Sequence, residues 1–142
     1  MRWDATGRLT DTPYWTNLNT YLGHGGKLIM FHGMSDFWFS PWATWDWYER
    51  AAKTNGKPFT DASRFYMVPG MLHCGGGNSF DQFDLLGNLV DWVEQGDAPE
   101  AVVAHRREPA SETRPLCPYP SYAAYQGGDP SKAESFACKS PG

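Results

Sequence analysis

The sequence predicts an α/β fold built on a parallel sheet. Two continuous apolar runs carry the prediction. Lys27-Leu28-Ile29-Met30-Phe31-His32 is closed by Gly33, and Arg64-Phe65-Tyr66-Met67-Val68 by Pro69-Gly70, as suits strands buried on both faces. Segments of helical periodicity follow each run, and Ala101-Val102-Val103-Ala104 offers a third strand. The resulting order, strand, helix, strand, helix, strand, is that of a parallel βαβαβ unit with neighbouring strands side by side.

Each element has a local reason. Residues 1–25 are polar and turn-rich, with Pro13 and the run Gly23-His24-Gly25-Gly26; they read as an N-terminal arm with a short helix around Tyr14–Leu22. The βαβαβ core is expected over 26–107. Its first helix starts at Ser40 as N-cap with Pro41 at the first helical position. Trp42, Trp45, Tyr48 and Ala52 recur along one face, and Asn55-Gly56 ends it. The second helix is expected from Phe80 to Glu94, with Phe83, Leu86, Leu89, Val90 and Val93 as its apolar face and Gly96 as its stop. From Glu108 onward Pro, Ser and Gly dominate, so 108–142 reads as an irregular tail flanked by Cys117 and Cys138.

Composition narrows the function. A chain of 142 residues with 41% hydrophobic content fits one domain with a usable core. No apolar run is long enough for a bilayer span. A net charge of −4 without a basic stripe argues against nucleic acid as partner. The first residues, MRWDATGRLTD, contain no apolar signal-peptide core. Three cysteines leave at least one thiol free or paired outside the chain. Four of the seven tryptophans crowd between Trp38 and Trp47.

The chemistry is expected in the loops beyond the carboxyl ends of the strands. Gly33-Met34-Ser35-Asp36-Phe37 nearly matches the G-x-S-x-G elbow that presents a nucleophilic serine, but its last glycine is missing. Asp36 follows the first strand and His73 follows the second. Adjacent strands lie about 4.8 Å apart, so these two side chains can reach hydrogen-bonding distance. A carboxylate on one imidazole nitrogen fixes the tautomer, and the other nitrogen can then serve as general base. Set against this, an Asp after a strand is commonly a helix cap or turn former, and a His in a glycine-rich loop commonly a turn residue. His32 closes a buried strand and reads as a hydrogen-bonded structural histidine. Trp38 reads equally as a core contact or as the lining of a site for an aromatic group. No ligand spacing around His73 and Cys74 supports zinc, and the glycines after Cys74 lack the Lys-Ser/Thr ending of a phosphate loop; no cofactor or metal is expected.

The segments GGKLIMFHGMSDFWFSP, RFYMVPGMLHCGGG, FDLLGNLVDWVEQGDAPE and TRPLCPYPSYAAYQGGD resemble the tannase and feruloyl esterase family, serine esterases of the α/β-hydrolase fold that include hydrolases of the mono-ester from PET breakdown. The resemblance runs through nearly the whole chain from Gly25 onward and implies a secreted or periplasmic carboxylic-ester hydrolase acting on aromatic esters. It places the triad acid on Asp36 and the triad base on His73. It implies that Cys74 pairs with a cysteine beside the nucleophilic serine, and that Cys117 pairs with Cys138. The latter bond would close a loop of roughly 20 residues, on the order of 3 kcal/mol in the chain-entropy model.

The departures are as informative. The family's Cys-Ser-x-Gly elbow and its lid have no counterpart here, so the chain corresponds to a C-terminal portion, a partial α/β-hydrolase sheet. Phe37 stands where relatives often carry proline. Ser35 lacks the elbow's second glycine, and Ser79, after Gly77-Asn78, reads as a cap for the next helix. The nucleophile is therefore expected from another chain or another segment, joined through Cys74, or from an unexpected local serine. Two rival readings stand beside the esterase: a catalytically silent module that homo-oligomerises through an exposed sheet edge, and a rebuilt site acting on an aromatic polymer or ester.

Overall fold

The computed structural model describes residues 15–142; the expected arm and the Tyr14 end of its helix fall largely outside that range. The first helix among the described residues, α1 (Asn19–Gly23), is a single turn. It is followed by β1 (Leu28–Gly33), α2 (Pro41–Asn55), α3 (Lys57–Ala62), β2 (Ser63–Val68), α4 (Leu85–Gln95), β3 (Val102–His105), β4 (Thr113–Leu116), β5 (Tyr122–Tyr125) and β6 (Phe136–Lys139). No helix among the described residues is long and apolar enough to cross a membrane.

β1 and β2 pair in parallel from Leu28 opposite Ser63 to Gly33 opposite Val68. The alternation of side chains along both strands divides the interior in two. On one face Phe65, with Leu28, Met30 and Met67, packs against Tyr48 and Ala51 of α2 and Phe59 of α3. On the other, Tyr66 and Val68, with Ile29, pack against Met71, Val102, Ala104 and Leu116. The crossover is α2 followed at once by α3, with Gly56 between them at φ 61°. Ser40 stands at the N-cap position and Pro41 at the first turn, as expected, though the Ser40 side chain makes no capping bond.

The sequence reading is corrected in several places. The parallel βαβαβ sheet stops at βαβ: β3 pairs antiparallel with β4, Val102 opposite Leu116, and does not join β1 or β2. β3 alternates buried and exposed residues, the pattern of a half-covered antiparallel strand rather than a fully buried parallel one. α4 begins at Leu85, not Phe80, because Gln82 exchanges backbone hydrogen bonds with His105 and the Asp84 carboxylate caps Gly87 N at 2.8 Å. Its expected apolar face is largely uncovered; Leu86 is 73% exposed, Val90 and Val93 are exposed too, and Trp92 is the buried residue. Trp42 likewise lies outside the core, where Tyr48 and Ala51 take the buried positions.

The tail is not irregular. β5 and β6 form a hairpin with Ala123 opposite Cys138, and Cys138 is bonded to Cys117 just beyond β4. Tyr119 N donates to Phe65 O at 2.7 Å, so the tail covers the outer edge of β2. The other edge of β1 has no strand beside it among the described residues. The pairing of Cys117 with Cys138 spans 21 residues and restricts the unfolded chain by about 3 kcal/mol in the loop-entropy model. Replacing both cysteines with serine should lower the denaturation free energy by about that amount without changing the β1–β2 pairing. Urea unfolding of the two proteins measures it, and equal midpoints would show that the bond adds nothing.

Candidate active site

The end of β1 and the segment after β2 come together because residue 33 is glycine. A Cβ at Gly33 would overlap the carbonyl oxygens of Met71 and Leu72. With none there, Met34 N donates to Val68 O and Ser35 N to Met71 O, both at 2.9 Å. The loop after β1 is thereby laid against the loop after β2, and the side chains that follow meet.

Asp36 and His73 are the residues so joined. His73 Nδ1 donates to Asp36 Oδ2 at 2.9 Å. Asp36 Oδ1 accepts the amides of Trp38 at 2.8 Å and Phe39 at 3.0 Å, closing an Asx-type turn. The Asp36 side chain is 4% exposed, that of His73 35%. Burial pushes the Asp36 carboxyl up, but the Phe39 amide, the His73 ring and the Trp38 amide outweigh it and hold the carboxyl well below its usual range. Asp36 is thus ionised at neutral pH. Because Nδ1 carries the proton toward it, His73 Nε2 is left as the acceptor nitrogen of the neutral ring.

The loop bearing His73 is held from behind. Asp81 Oδ2 accepts Gly76 N at 2.6 Å and Arg107 Nε at 2.9 Å. Burial raises the Asp81 carboxyl, yet the Gly76 amide, Gln82 and Arg107 together lower it. Ser79 donates to Gly76 O at 2.8 Å, so it ties this loop to itself and does not cap α4. Ser35 is exposed, and no hydrogen bond joins its hydroxyl to His73. Cys74 is free and exposed, in a left-handed conformation at φ 58°.

Aromatic rings surround the histidine. Trp38, 67% exposed and no core residue, stacks on His73 with centroids 5.4 Å apart, and Phe39 lies at 5.3 Å. An open groove of about 710 Å³ runs alongside, with Trp15, Met30, Phe39 and Trp47 as apolar walls and Asp36, His73, His32 and Thr44 as polar ones. A second groove, of about 630 Å³, lies between β2, β4 and the tail and is lined by neither Asp36 nor His73. No group of three or more His, Cys, Asp or Glu that could hold a metal occurs among the described residues.

One member of the site was not singled out from the sequence. His32, read as a structural histidine, is hydrogen-bonded as expected, to Thr44 Oγ1 at 2.8 Å and Phe39 O at 3.2 Å. It also places Nε2 3.3 Å from Asp36 Oδ2. Its spacing from Asp36, four residues along a strand and a turn, carries no signal by itself.

The tannase and feruloyl esterase family model matches residues 8–139. Mono(2-hydroxyethyl) terephthalate hydrolase of Piscinibacter sakaiensis is 43% identical over 98% of this chain and 25% of its own length. A probable feruloyl esterase of Arthroderma benhamiae is 35% identical over 80% of this chain and 23% of its own. The chain thus spans about a quarter of the curated relatives it matches. Among solved structures, an esterase from Aspergillus oryzae superposes with a TM-score of 0.79 at 25% identity, over 95% of this chain and 32% of that one. Tannin acyl hydrolase from Aspergillus niger shares the fold, with a TM-score of 0.77 at 21% identity, over 96% of this chain and 27% of that one. The fold is accordingly of the α/β-hydrolase kind.

Two outcomes follow from this geometry. Gly33→Ala should cost about 1–3 kcal/mol by forcing the two loops apart and should loosen the His73–Asp36 bond; urea unfolding and the histidine NMR resonances report the two effects. Asp81 titrates below its ordinary 3.8 when folded, so its stabilisation is full above that value and is lost as pH falls through the folded one. Asp81→Asn should therefore lower the melting temperature at pH 7, and the gap from the unsubstituted protein should narrow below about pH 4. A constant gap would contradict the assignment.

Proposed function

This chain belongs to the tannase and feruloyl esterase family, and from that premise we propose that it contributes the acid and base of a Ser-His-Asp triad in a carboxylic-ester hydrolase acting on aromatic esters. The observation that carries the reading is the 2.9 Å bond from His73 Nδ1 to an ionised, buried Asp36. In this scheme Asp36 orients the imidazole and stabilises the imidazolium. His73 Nε2 takes the proton of a serine hydroxyl as its oxygen attacks the ester carbonyl, and then returns it to the leaving alcohol. Water repeats the cycle on the acyl-enzyme. Trp38, stacked beside His73, offers its ring to an aromatic acyl group.

The serine belongs to a part outside these 142 residues, either a further segment of one protein or a second chain. Ser35 has no hydrogen bond to His73 and Ser79 is turned to Gly76 O, so neither fits the role. The uncovered edge of β1 and the exposed Phe31, Leu86, Val90 and Val93 form a natural seat for the rest of a hydrolase sheet. Cys74, exposed beside His73, is placed to bond that part covalently. The span 1–142 is then one partial hydrolase domain. The Cys117–Cys138 bond favours an oxidising compartment, secreted or periplasmic.

The same uncovered edge supports a second reading, a silent module that oligomerises through β1. Hydrolysis of p-nitrophenyl butyrate separates the two, measured on the chain from its native source and on the chain joined to the rest of the Piscinibacter relative. The joined protein should hydrolyse the ester, lose activity with His73→Ala, and lose about 10⁴ in kcat with Asp36→Asn. Activity indifferent to His73→Ala rejects the triad assignment. A chain that forms oligomers by sedimentation and stays inactive when joined supports the module. A non-reducing gel of the native material should show Cys74 in a disulfide; a titratable Cys74 thiol there would remove the covalent link.

A further inference from the structure

We infer that His32 is a positioning residue for the acid: with Thr44 it braces the Asp36 turn and keeps Oδ2 aimed at His73 Nδ1. The inference rests on the reading of Asp36 and His73 as acid and base. His32 is the penultimate residue of β1, and Thr44 lies in the first turn of α2. The ring therefore ties a strand, a helix and the intervening turn together.

The hydrogen-bond chemistry fixes which nitrogen carries the proton. Both neighbours of His32 Nε2 are acceptors, Phe39 O at 3.2 Å and the ionised Asp36 Oδ2 at 3.3 Å. Nε2 is therefore a donor, and in the neutral ring Nδ1 accepts the Thr44 hydroxyl at 2.8 Å. The N–H is hydrogen-bonded to the carbonyl of Phe39, the residue whose amide closes the turn, and the same nitrogen lies 3.3 Å from the carboxylate the turn presents. Asp36 is then held at both oxygens, Oδ1 by the amides of Trp38 and Phe39 and Oδ2 by His73, with His32 Nε2 3.3 Å from Oδ2. Phe39 connects the two histidines again, since its carbonyl meets His32 and its ring lies 5.3 Å from that of His73. Both His32 and Thr44 line the groove beside His73, but neither touches His73 and neither is assigned a proton-transfer step.

A carboxylate supported only by its turn can rotate about its Cα–Cβ and Cβ–Cγ bonds. A ring held on Phe39 O with its nitrogen 3.3 Å from the same oxygen limits that rotation and preserves the His73 bond, as outer partners do for other oriented ligands. A merely structural histidine would hold α2 to β1 without any effect on the proton of His73.

The test is NMR of the ¹⁵N-labelled full chain, comparing the unsubstituted protein with His32→Phe, His32→Gln, Thr44→Val and Asp36→Asn. The unsubstituted chain should show His32 as the Nε2–H tautomer and a hydrogen-bonded His73 Nδ1–H that exchanges slowly with water. His32→Phe should speed that exchange about tenfold, the scale of one lost hydrogen bond. His32→Gln, whose amide can still donate, should recover part of it, and Thr44→Val, which leaves Nε2–H its acceptors but frees the ring at Nδ1, should speed the exchange by a smaller factor. If His32→Phe fails to fold, Thr44→Val, which keeps the shape and removes only the hydroxyl, decides alone. An Nδ1–H tautomer at His32 overturns the brace. So does unchanged His73 exchange in His32→Phe or, where that variant does not fold, in Thr44→Val with a native backbone spectrum. Absence of the His73 signal, or its survival in Asp36→Asn, strikes the acid–base pair itself.

Discussion

The site depends on how closely two strand ends approach. β1 and β2 are adjacent and parallel, so both chains leave the sheet at the same end. That alone brings the following loops near each other. What locks them is the missing side chain at Gly33, which lets the backbone of Met71 and Leu72 pass where a Cβ would stand. The Ser35 amide then reaches Met71 O, and the register of one loop on the other is set before either side chain, Asp36 or His73, is placed. Asp36 and His73 inherit their separation from this contact.

On that frame the carboxylate is the electrostatic centre. Taking Asp36 out of water would by itself favour its neutral form. Two backbone amides and the His73 ring reverse the balance and keep it charged. A buried anion so held can stabilise positive charge on an imidazole without leaving its place when the proton arrives. The arrangement is asymmetric: Asp36 is enclosed, whereas His73 keeps an accessible side beside aromatic rings. Behind it, Asp81 and Arg107 fasten the glycine run that carries the histidine, a short segment that would otherwise lose more conformational freedom on folding than most.

The same fold is unfinished on one side. Tyr119 and the disulfide-held hairpin close the edge of β2, but β1 has no second neighbour among the described residues, and Phe31 with three apolar residues of α4 faces outward. An exposed apolar strand edge is a pairing surface. It lies on the strand that leads into Asp36.

Sequence by itself determined much of this. The two short apolar runs, each closed by glycine or proline, located β1 and β2, although Phe31 of the first stands exposed. The strand–helix–strand order then required Asp36 and His73 to emerge at one end of the sheet, and the quoted motifs identified the family and the Cys117–Cys138 pair. What the pattern could not carry were features that depend on long-range partners. Whether Val102–His105 extends the parallel sheet or turns back on Thr113–Leu116 is decided by packing, since a four-residue strand has too few alternations to choose. The uncovered face of α4 reads as core because periodicity records which residues are apolar and not whether a partner is present. His32 joins Asp36 only after Gly33 has folded the turn over and α2 has brought Thr44 beneath the ring. Local pattern therefore specified the elements and the meeting of Asp36 with His73. Tertiary structure alone decided their support, because hydrogen-bond partners at Nδ1 and Nε2 come from separate elements whose meeting no sequence spacing encodes.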